Sequence, residues 1–343
     1  MFRRVFQSLL LALSLVLCSV VSAETVQHAN SLTLSRPKVA LVLSGGGARG
    51  FSHVGVIREL ERLGVKIDIV AGTSMGAMVG GGYASGYSVE QMQDIILGVD
   101  WKEMFALRPD RDEINWRRRQ DDFKGLGTQE IGLSKKGVLF PDSVVPAQHL
   151  EIFLRSITRH VSSVTDLSKL SIPFAAIATD LDTGEAVVMQ KDVTLADAMR
   201  SSMSVPGAFS PFPYKNHVLV DGGLAQNLPI EQAKAMGADI IIAVNAGTPL
   251  GKSKDIHSVA GVMGQMIGIL TERNVDHSKS LLTEKDILIT TDLTGFNAGD
   301  FQKAEAIIEA GEKSAQKYEP QLKRLAVSRK TFEQWNLARQ SAV

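Results

Sequence analysis

Residues 67–83 read Ile-Asp-Ile-Val-Ala-Gly-Thr-Ser-Met-Gly-Ala-Met-Val-Gly-Gly-Gly-Tyr. Ile67 to Ala71 is a short apolar run that stops at glycine, the pattern of a buried parallel strand. Met75 to Tyr83 is rich in small residues and predicts a helix packed closely on its neighbours. Between them Gly72-Thr73-Ser74-Met75-Gly76 spells G-x-S-x-G in the strand-turn-helix setting that a nucleophile elbow requires. The sharp turn pushes the Ser74 hydroxyl out of the sheet. Gly72 and Gly76 remove side chains that would clash there, and the helix N-terminus favours negative charge beside the serine.

The same rhythm extends in both directions. Upstream, the strand KVALVLS (residues 38–44) runs into Gly45-Gly46-Gly47-Ala48-Arg49-Gly50 and a helix over residues 50–63. Glycines at such a strand-to-helix turn leave backbone N–H groups free to meet negative charge. The loop also fits G-x-G-x-x-G, with Asp68 near the place of a ribose-binding acid, so the motif alone leaves dinucleotide binding open. Downstream come a strand in IPFAAIATDL, a second arm GEAVVMQ, a helix from Leu195 to Ser202, the strand HVLVD, a helix over residues 230–236 and the strand in DIIIAVNAG. The end is mainly helical, over residues 256–282 and 301–325, with the strand DILIT between. Alternating strands and helices with apolar strands predict a three-layer α/β/α fold on a mainly parallel sheet. The methionine-rich face of residues 259–270 is expected to pack in the core rather than line an acyl groove.

Residues 101–141 break this pattern. They are charged, hold Trp101, Phe105, Trp116 and Phe123, and include Arg117-Arg118-Arg119. A stretch of that length without periodicity is a functional loop or an insertion. Its aromatic and basic residues suit a lipid surface, while its nearly balancing acids suit a solvated loop.

The 343 residues carry 37 basic and 37 acidic side chains, so no basic excess marks a nucleic-acid partner. Arg3 and Arg4 precede an apolar run from Leu9 to Val21, and Val21-Ser22-Ala23 precede Glu24, the layout of a secretory leader. Its removal takes two arginines and no acids, leaving 35 basic against 37 acidic residues and a net charge of −2. It also takes Cys18, the sole cysteine. The expected plan is a leader over 1–23, an N-terminal tail over 24–37, one domain over 38–330 and a C-terminal tail over 331–343. An exported protein is expected, periplasmic first, with secretion or membrane association as the alternatives.

A serine nucleophile needs a base, and histidine is the usual one. None of the seven histidines stands at a strand end in a suitable place. Asp221 does: it ends the strand HVLV and precedes Gly222-Gly223, where open α/β sheets build sites. The same residue also reads as an ordinary turn aspartate before glycines.

The glycine loop GGGARG, the elbow GTSMG and the later DGG, in this order, resemble the patatin-like phospholipase family. The segments SSMSVPGAFSP (residues 201–211) and GGLAQNLPIEQAKAMGADIIIAV extend the likeness, and the WRRRQDDF stretch is similar to the passenger domains of patatin-type autotransporters. The resemblance implies a serine–aspartate dyad on Ser74 and Asp221, with no histidine, and an oxyanion loop on Gly45, Gly46, Gly47, Arg49 and Gly50. Arg49 is assigned either to the oxyanion or to fixing the loop. The implied reaction is acyl-ester hydrolysis of phospholipid or lysophospholipid without metal or organic cofactor, with transient contact to a membrane surface. Acyl transfer from the same dyad and non-catalytic lipid binding are the alternatives, and homo-oligomerisation is left open.

Overall fold

The structure, a computed structural model, describes residues 36–105, 132–134, 137–139, 147–252 and 256–341. The expected leader with Cys18, and Trp116, Arg117, Arg118, Arg119 and Phe123, lie outside the described residues; the expected N-terminal tail is described only at Arg36 and Pro37. The chain divides after Pro37 into two units, and the second, from Lys38 onward, carries the sheet and its helices.

Its strands are β1 (Val39–Leu43), β2 (Ile69–Thr73), β3 (Gly132–Ser134), β4 (Gly137–Leu139), β5 (Phe174–Asp180), β6 (Ala186–Met189), β7 (Phe212–Tyr214), β8 (His217–Asp221), β9 (Ile240–Asn245) and β10 (Ile287–Thr290). The order β10-β9-β1-β2-β5 is parallel throughout. β6, β7 and β8 run antiparallel to their neighbours, and β3 with β4 forms a separate ladder. The helices that frame the site are α1 (Ser52–Leu63), α2 (Met75–Ser85), α3 (Leu195–Ser202), α4 (Gly223–Gln226), α5 (Ile230–Ala235), α6 (Val259–Ser280), α7 (Ala304–Gln316) and α8 (Arg329–Gln340).

β1 is buried at every residue because both faces of the sheet are covered. Strand side chains alternate between faces. Val39, Leu41 and Leu43 join the core with α1, α2 and α7, whereas Ala40 and Val42 pack with Ile230 and Ala233 of α5 and Val275 of α6. This is the three-layer α/β/α arrangement on a mainly parallel sheet. α2 sits unusually close to it, since a Cβ on Gly76 would lie 2.4 Å from the Leu43 carbonyl oxygen.

The register around β5 decides where the site lies. β2 pairs with β5 from Val70↔Phe174 to Thr73↔Ile177, and β8 pairs with it from Asp221↔Ala178 to Leu219↔Asp180. β6 pairs with residues 176–179 of β5, overlapping both. A strand has only two edges, so β6 takes one, and β2 and β8 share the other. β2 and β8 therefore meet carboxyl end to carboxyl end, with Thr73 opposite Ile177 and Asp221 opposite Ala178.

Three expectations are corrected. Residues 331–343 are not a bare tail: α8 occupies 329–340, and its Arg339 is buried, donating to the Tyr83 and Tyr87 carbonyls and to Glu61. The face of residues 259–270 is not core, because Val262, Met263, Met266, Ile269 and Leu270 are exposed. Trp101 meets no surface; it is buried among Phe51, Phe105, Phe153 and Phe301.

Candidate active site

Ser74 follows β2 directly and adopts φ 53° and ψ −123°, a left-handed conformation that costs a non-glycine residue roughly 1–3 kcal/mol. The surroundings hold it there. Its N–H donates to Ser202 Oγ at 2.8 Å, and that hydroxyl donates in turn to the Ile177 carbonyl of β5. Its carbonyl accepts from the N–H groups of Ala77 and Met78 at 2.9 and 3.2 Å, which starts α2. The neighbouring Thr73 hydroxyl donates to the Gln226 carbonyl at 2.8 Å, tying the elbow to α4.

Asp221 ends β8 and is 8% exposed. Its backbone N–H donates to the Ser204 carbonyl at 2.8 Å, and its carbonyl accepts from the Thr179 hydroxyl. Oδ1 accepts from the Gly223 N–H at 2.7 Å. Oδ2 is buried and has no hydrogen-bond partner. Burial pushes the carboxyl pKa from 3.8 up to about 6, against the opposing pull of the Ser74 hydroxyl and the Gly223 N–H. The Ser74 hydroxyl is thus near the carboxyl without completing a hydrogen bond to Oδ2. The turn after Asp221 is tight: a Cβ on Gly222 would sit 2.1 Å from the Ile177 carbonyl oxygen.

The glycine loop closes the third side. A Cβ on Gly45 would lie 3.1 Å from Ser74 Cβ, so this backbone runs against the serine. The Gly45 N–H is already donated to the Asn227 carbonyl. Gly50 is packed against the Met75 side chain. The N–H groups of Gly46, Gly47 and Met75 donate to no group among the described residues, and Gly46 and Gly47 are half-buried. Met75 follows the serine directly, and Gly46 and Gly47 follow the glycine that touches it; free N–H groups at helix starts are the kind that stabilises an anion.

Arg49 is engaged elsewhere. Its buried guanidinium donates to the carbonyls of Ala246, Leu293, Phe296 and Gly247 at 2.8–3.1 Å. It clamps the loop to the segments after β9 and β10, so the grouping of Arg49 and Gly45 with the oxyanion donors is corrected on hydrogen-bonding grounds. Asp68 is not placed for a ribose either: it stands before β2, accepts from the Val39 N–H and pairs with Lys66.

None of the described histidines hydrogen-bonds Ser74. His53 is buried with Nε2 on the Ser44 carbonyl, and burial lowers its pKa to about 4. His217 pairs with Asp180, and His277 lies near Glu231.

Three contributors escaped sequence reading. Ser202 holds the elbow, and the Met75 N–H adds a donor. Asn227 is 4% exposed, and its Oδ1 lies 2.5 Å from where a Gly45 Cβ and 3.0 Å from where a Gly223 Cβ would stand. Its side chain therefore sits between the glycine loop and the turn after Asp221. α6 supports that turn: Thr271 and Asn274 donate to the Gly223 carbonyl, and Asn274 accepts from the Asn227 N–H.

A serine on a strained elbow, a buried carboxylate with a raised pKa and unpaired backbone donors stand together on an α/β/α fold. Residues 41–234 match the patatin-like phospholipase family, and the chain belongs to it. An uncharacterised NTE family protein of Mycobacterium bovis is 32% identical over 222 residues, covering 64% of this chain and 52% of that protein. The human patatin-like phospholipase domain-containing protein 6 is 34% identical over 217 residues, 61% of this chain and 13% of the larger protein. The chain thus spans about half or less of the curated relatives it matches. Among solved structures, VipD from Legionella pneumophila aligns at a TM-score of 0.44 and 15% identity, over 83% of this chain and 67% of that one.

Proposed function

We propose that this protein is an exported serine acyl-ester hydrolase that releases fatty acids from phospholipids or lysophospholipids, with Ser74 as nucleophile and Asp221 as its base. The observation that carries this reading is the meeting of β2 and β8 on one edge of β5, with Ser74 beside a carboxylate whose pKa is raised to about 6. A carboxylate with an ordinary pKa is a weak base, and desolvation improves the match to a base working near neutral pH.

In this mechanism Asp221 Oδ2 takes the Ser74 hydroxyl proton as Oγ attacks the ester carbonyl carbon. The negative charge that develops on the carbonyl oxygen is met by the N–H groups of Gly46, Gly47 and Met75, each donor of this kind being worth ~3 kcal/mol. Collapse breaks the bond to the alcohol, which leaves with the proton from Asp221. Water then gives a proton to Asp221 and attacks the acyl-serine. Asp221 returns that proton to Ser74 Oγ as the fatty acid departs.

The test is hydrolysis of a short-chain p-nitrophenyl ester and of phospholipid vesicles by the purified protein. Ser74→Ala and Asp221→Ala are each expected to lower kcat by roughly 10³-fold or more while remaining folded. An Asp221→Ala protein that keeps its activity places the base elsewhere, and a wild type inert on every ester removes the hydrolase reading.

A further inference from the structure

Six of the twelve large apolar side chains exposed among the described residues fall in one place. They are Leu250, after β9, and Val262, Met263, Met266, Ile269 and Leu270 of α6, all between 41% and 60% exposed. At 3.6 residues per turn the five on α6 lie on one face of the helix. Residues 258–271 contain no charged residue. One flank of this half-helix is anchored to the segment that follows Leu250, Gln265 bonding the N–H and carbonyl of Gly251. The next turn carries Thr271 and Asn274, which hold the Gly223 carbonyl beside Asp221. The apolar face is therefore continuous with the segment that supports the site.

Two exposed cations adjoin this face. Lys252 follows Leu250 and is exposed; Arg273 is exposed one turn beyond Ile269, on the same face. Neither forms an ion pair among the described residues, and residues 258–271 offer no acid. A second copy laid on this face would set lysine and arginine against the same uncharged strip. A bilayer surface matches both features, with acyl chains under the apolar side chains and phosphates at the two cations. No described helix is long and apolar enough to cross a membrane, which suits a helix lying in the interface.

We infer that the N-terminal half of α6, with Leu250, is the face by which this protein docks on a phospholipid surface. The docking face delivers lipid to Ser74, and in that respect it rests on the hydrolase reading. The test separates the two. Docking is read as co-sedimentation of Ser74→Ala protein with phosphatidylcholine vesicles, with and without phosphatidylglycerol, so that turnover plays no part. Adding Met266→Glu and Leu270→Glu is expected to weaken binding roughly tenfold or more, since two buried apolar contacts become charges. Arg273→Glu is expected to cost about fivefold, on phosphatidylglycerol vesicles only. With Ser74 intact, the Met266→Glu, Leu270→Glu protein is expected to hydrolyse a soluble short-chain ester at the wild-type rate. Unchanged vesicle binding in the double variant overturns the inference. So does a wild-type dimer, seen by sedimentation equilibrium, that the variant splits while neither form binds vesicles. If no ester is hydrolysed but vesicle binding still depends on Met266 and Leu270, the hydrolase reading falls and the docking face stands.

Discussion

β2 and β8 reach the same point from opposite directions, and they hold their functional residues in opposite ways. β2 is buried along its whole length and ends in backbone strain: Ser74 has φ 53°, with its N–H and carbonyl both bonded. β8 begins exposed at His217 and Val218 and ends in unfavourable solvation, with Asp221 Oδ2 buried and unpartnered. One strand stores its cost in a dihedral angle, the other in a missing hydration shell. Both costs are tolerated because β5 and its satellites fix the two strand ends so firmly. Costs of this kind gather at functional sites.

The sharpest way to break the comparison is to stop the strands from meeting. Gly222→Ala places a methyl 2.1 Å from the Ile177 carbonyl oxygen, a backbone atom inside the sheet. Strand β8 must then separate from β5, at a cost expected to exceed ~4 kcal/mol. Thermal denaturation and the yield of soluble protein report it. A Gly222→Ala protein with the wild-type melting temperature would mean that the two strand ends do not abut.

Asp221→Asn isolates the solvation cost. In the folded protein the carboxyl pKa is about 6 against 3.8 for the free group. The neutral form therefore suits the fold, and stability that is full below the unfolded pKa is lost as pH rises through the folded one. That difference corresponds to roughly 3 kcal/mol at neutral pH and above. Asn keeps an acceptor for the Gly223 N–H and carries no charge. The variant is expected to be more stable than wild type by about 1–3 kcal/mol at pH 8, with the gap closing between pH 6 and pH 4. On the proposed mechanism hydrolysis is expected to move the other way in wild type, falling as pH drops through about 6 and Asp221 is protonated. Denaturant melts at several pH values, beside a pH–rate profile, check both signs. A stability gap that does not change with pH would leave the carboxylate solvated.

How much of this was legible in the sequence follows from the same contrast. The elbow was readable because its information is local: strand, G-x-S-x-G and small-residue helix are contiguous, and each step follows from neighbours in the chain. The position of Asp221 was readable as a strand end before glycines, but the direction of its strand was not. That direction depends on pairing between residues 178 and 221, and no short-range pattern records it. Arg49 carried a charge suited to an oxyanion, yet its carbonyl partners lie 197 to 247 residues away. The exposure of the apolar face of α6 is not legible, because a helix periodicity fixes which residues share a face and not what covers that face. Ser202 was invisible for a related reason: one serine among Ser201, Ser202 and Ser204 has no signature until β5 and the elbow close around it.

Ser202 is also where the two strands are joined, and its removal gives the smallest and most specific effect. Its hydroxyl accepts from the Ser74 N–H and donates to the Ile177 carbonyl, while its own carbonyl accepts from the Gly222 N–H at 3.4 Å. It therefore spans the elbow, β5 and the turn after Asp221. Ser202→Ala leaves the Ser74 N–H without its acceptor, and an elbow already under strain loosens. Because the hydroxyl is bonded entirely to backbone and is fully buried, it positions Ser74 rather than binding substrate. The expected result is a fall of about tenfold in kcat, equivalent to the ~1.4 kcal/mol of one lost hydrogen bond, with KM for a soluble ester nearly unchanged. Ser202→Thr keeps the hydroxyl and is expected to recover part of the loss, which a purely volumetric role would not allow. If kcat for Ser202→Ala equals that of wild type, the strain at Ser74 is held by α2 alone, and the link between the two strands through Ser202 has no catalytic consequence.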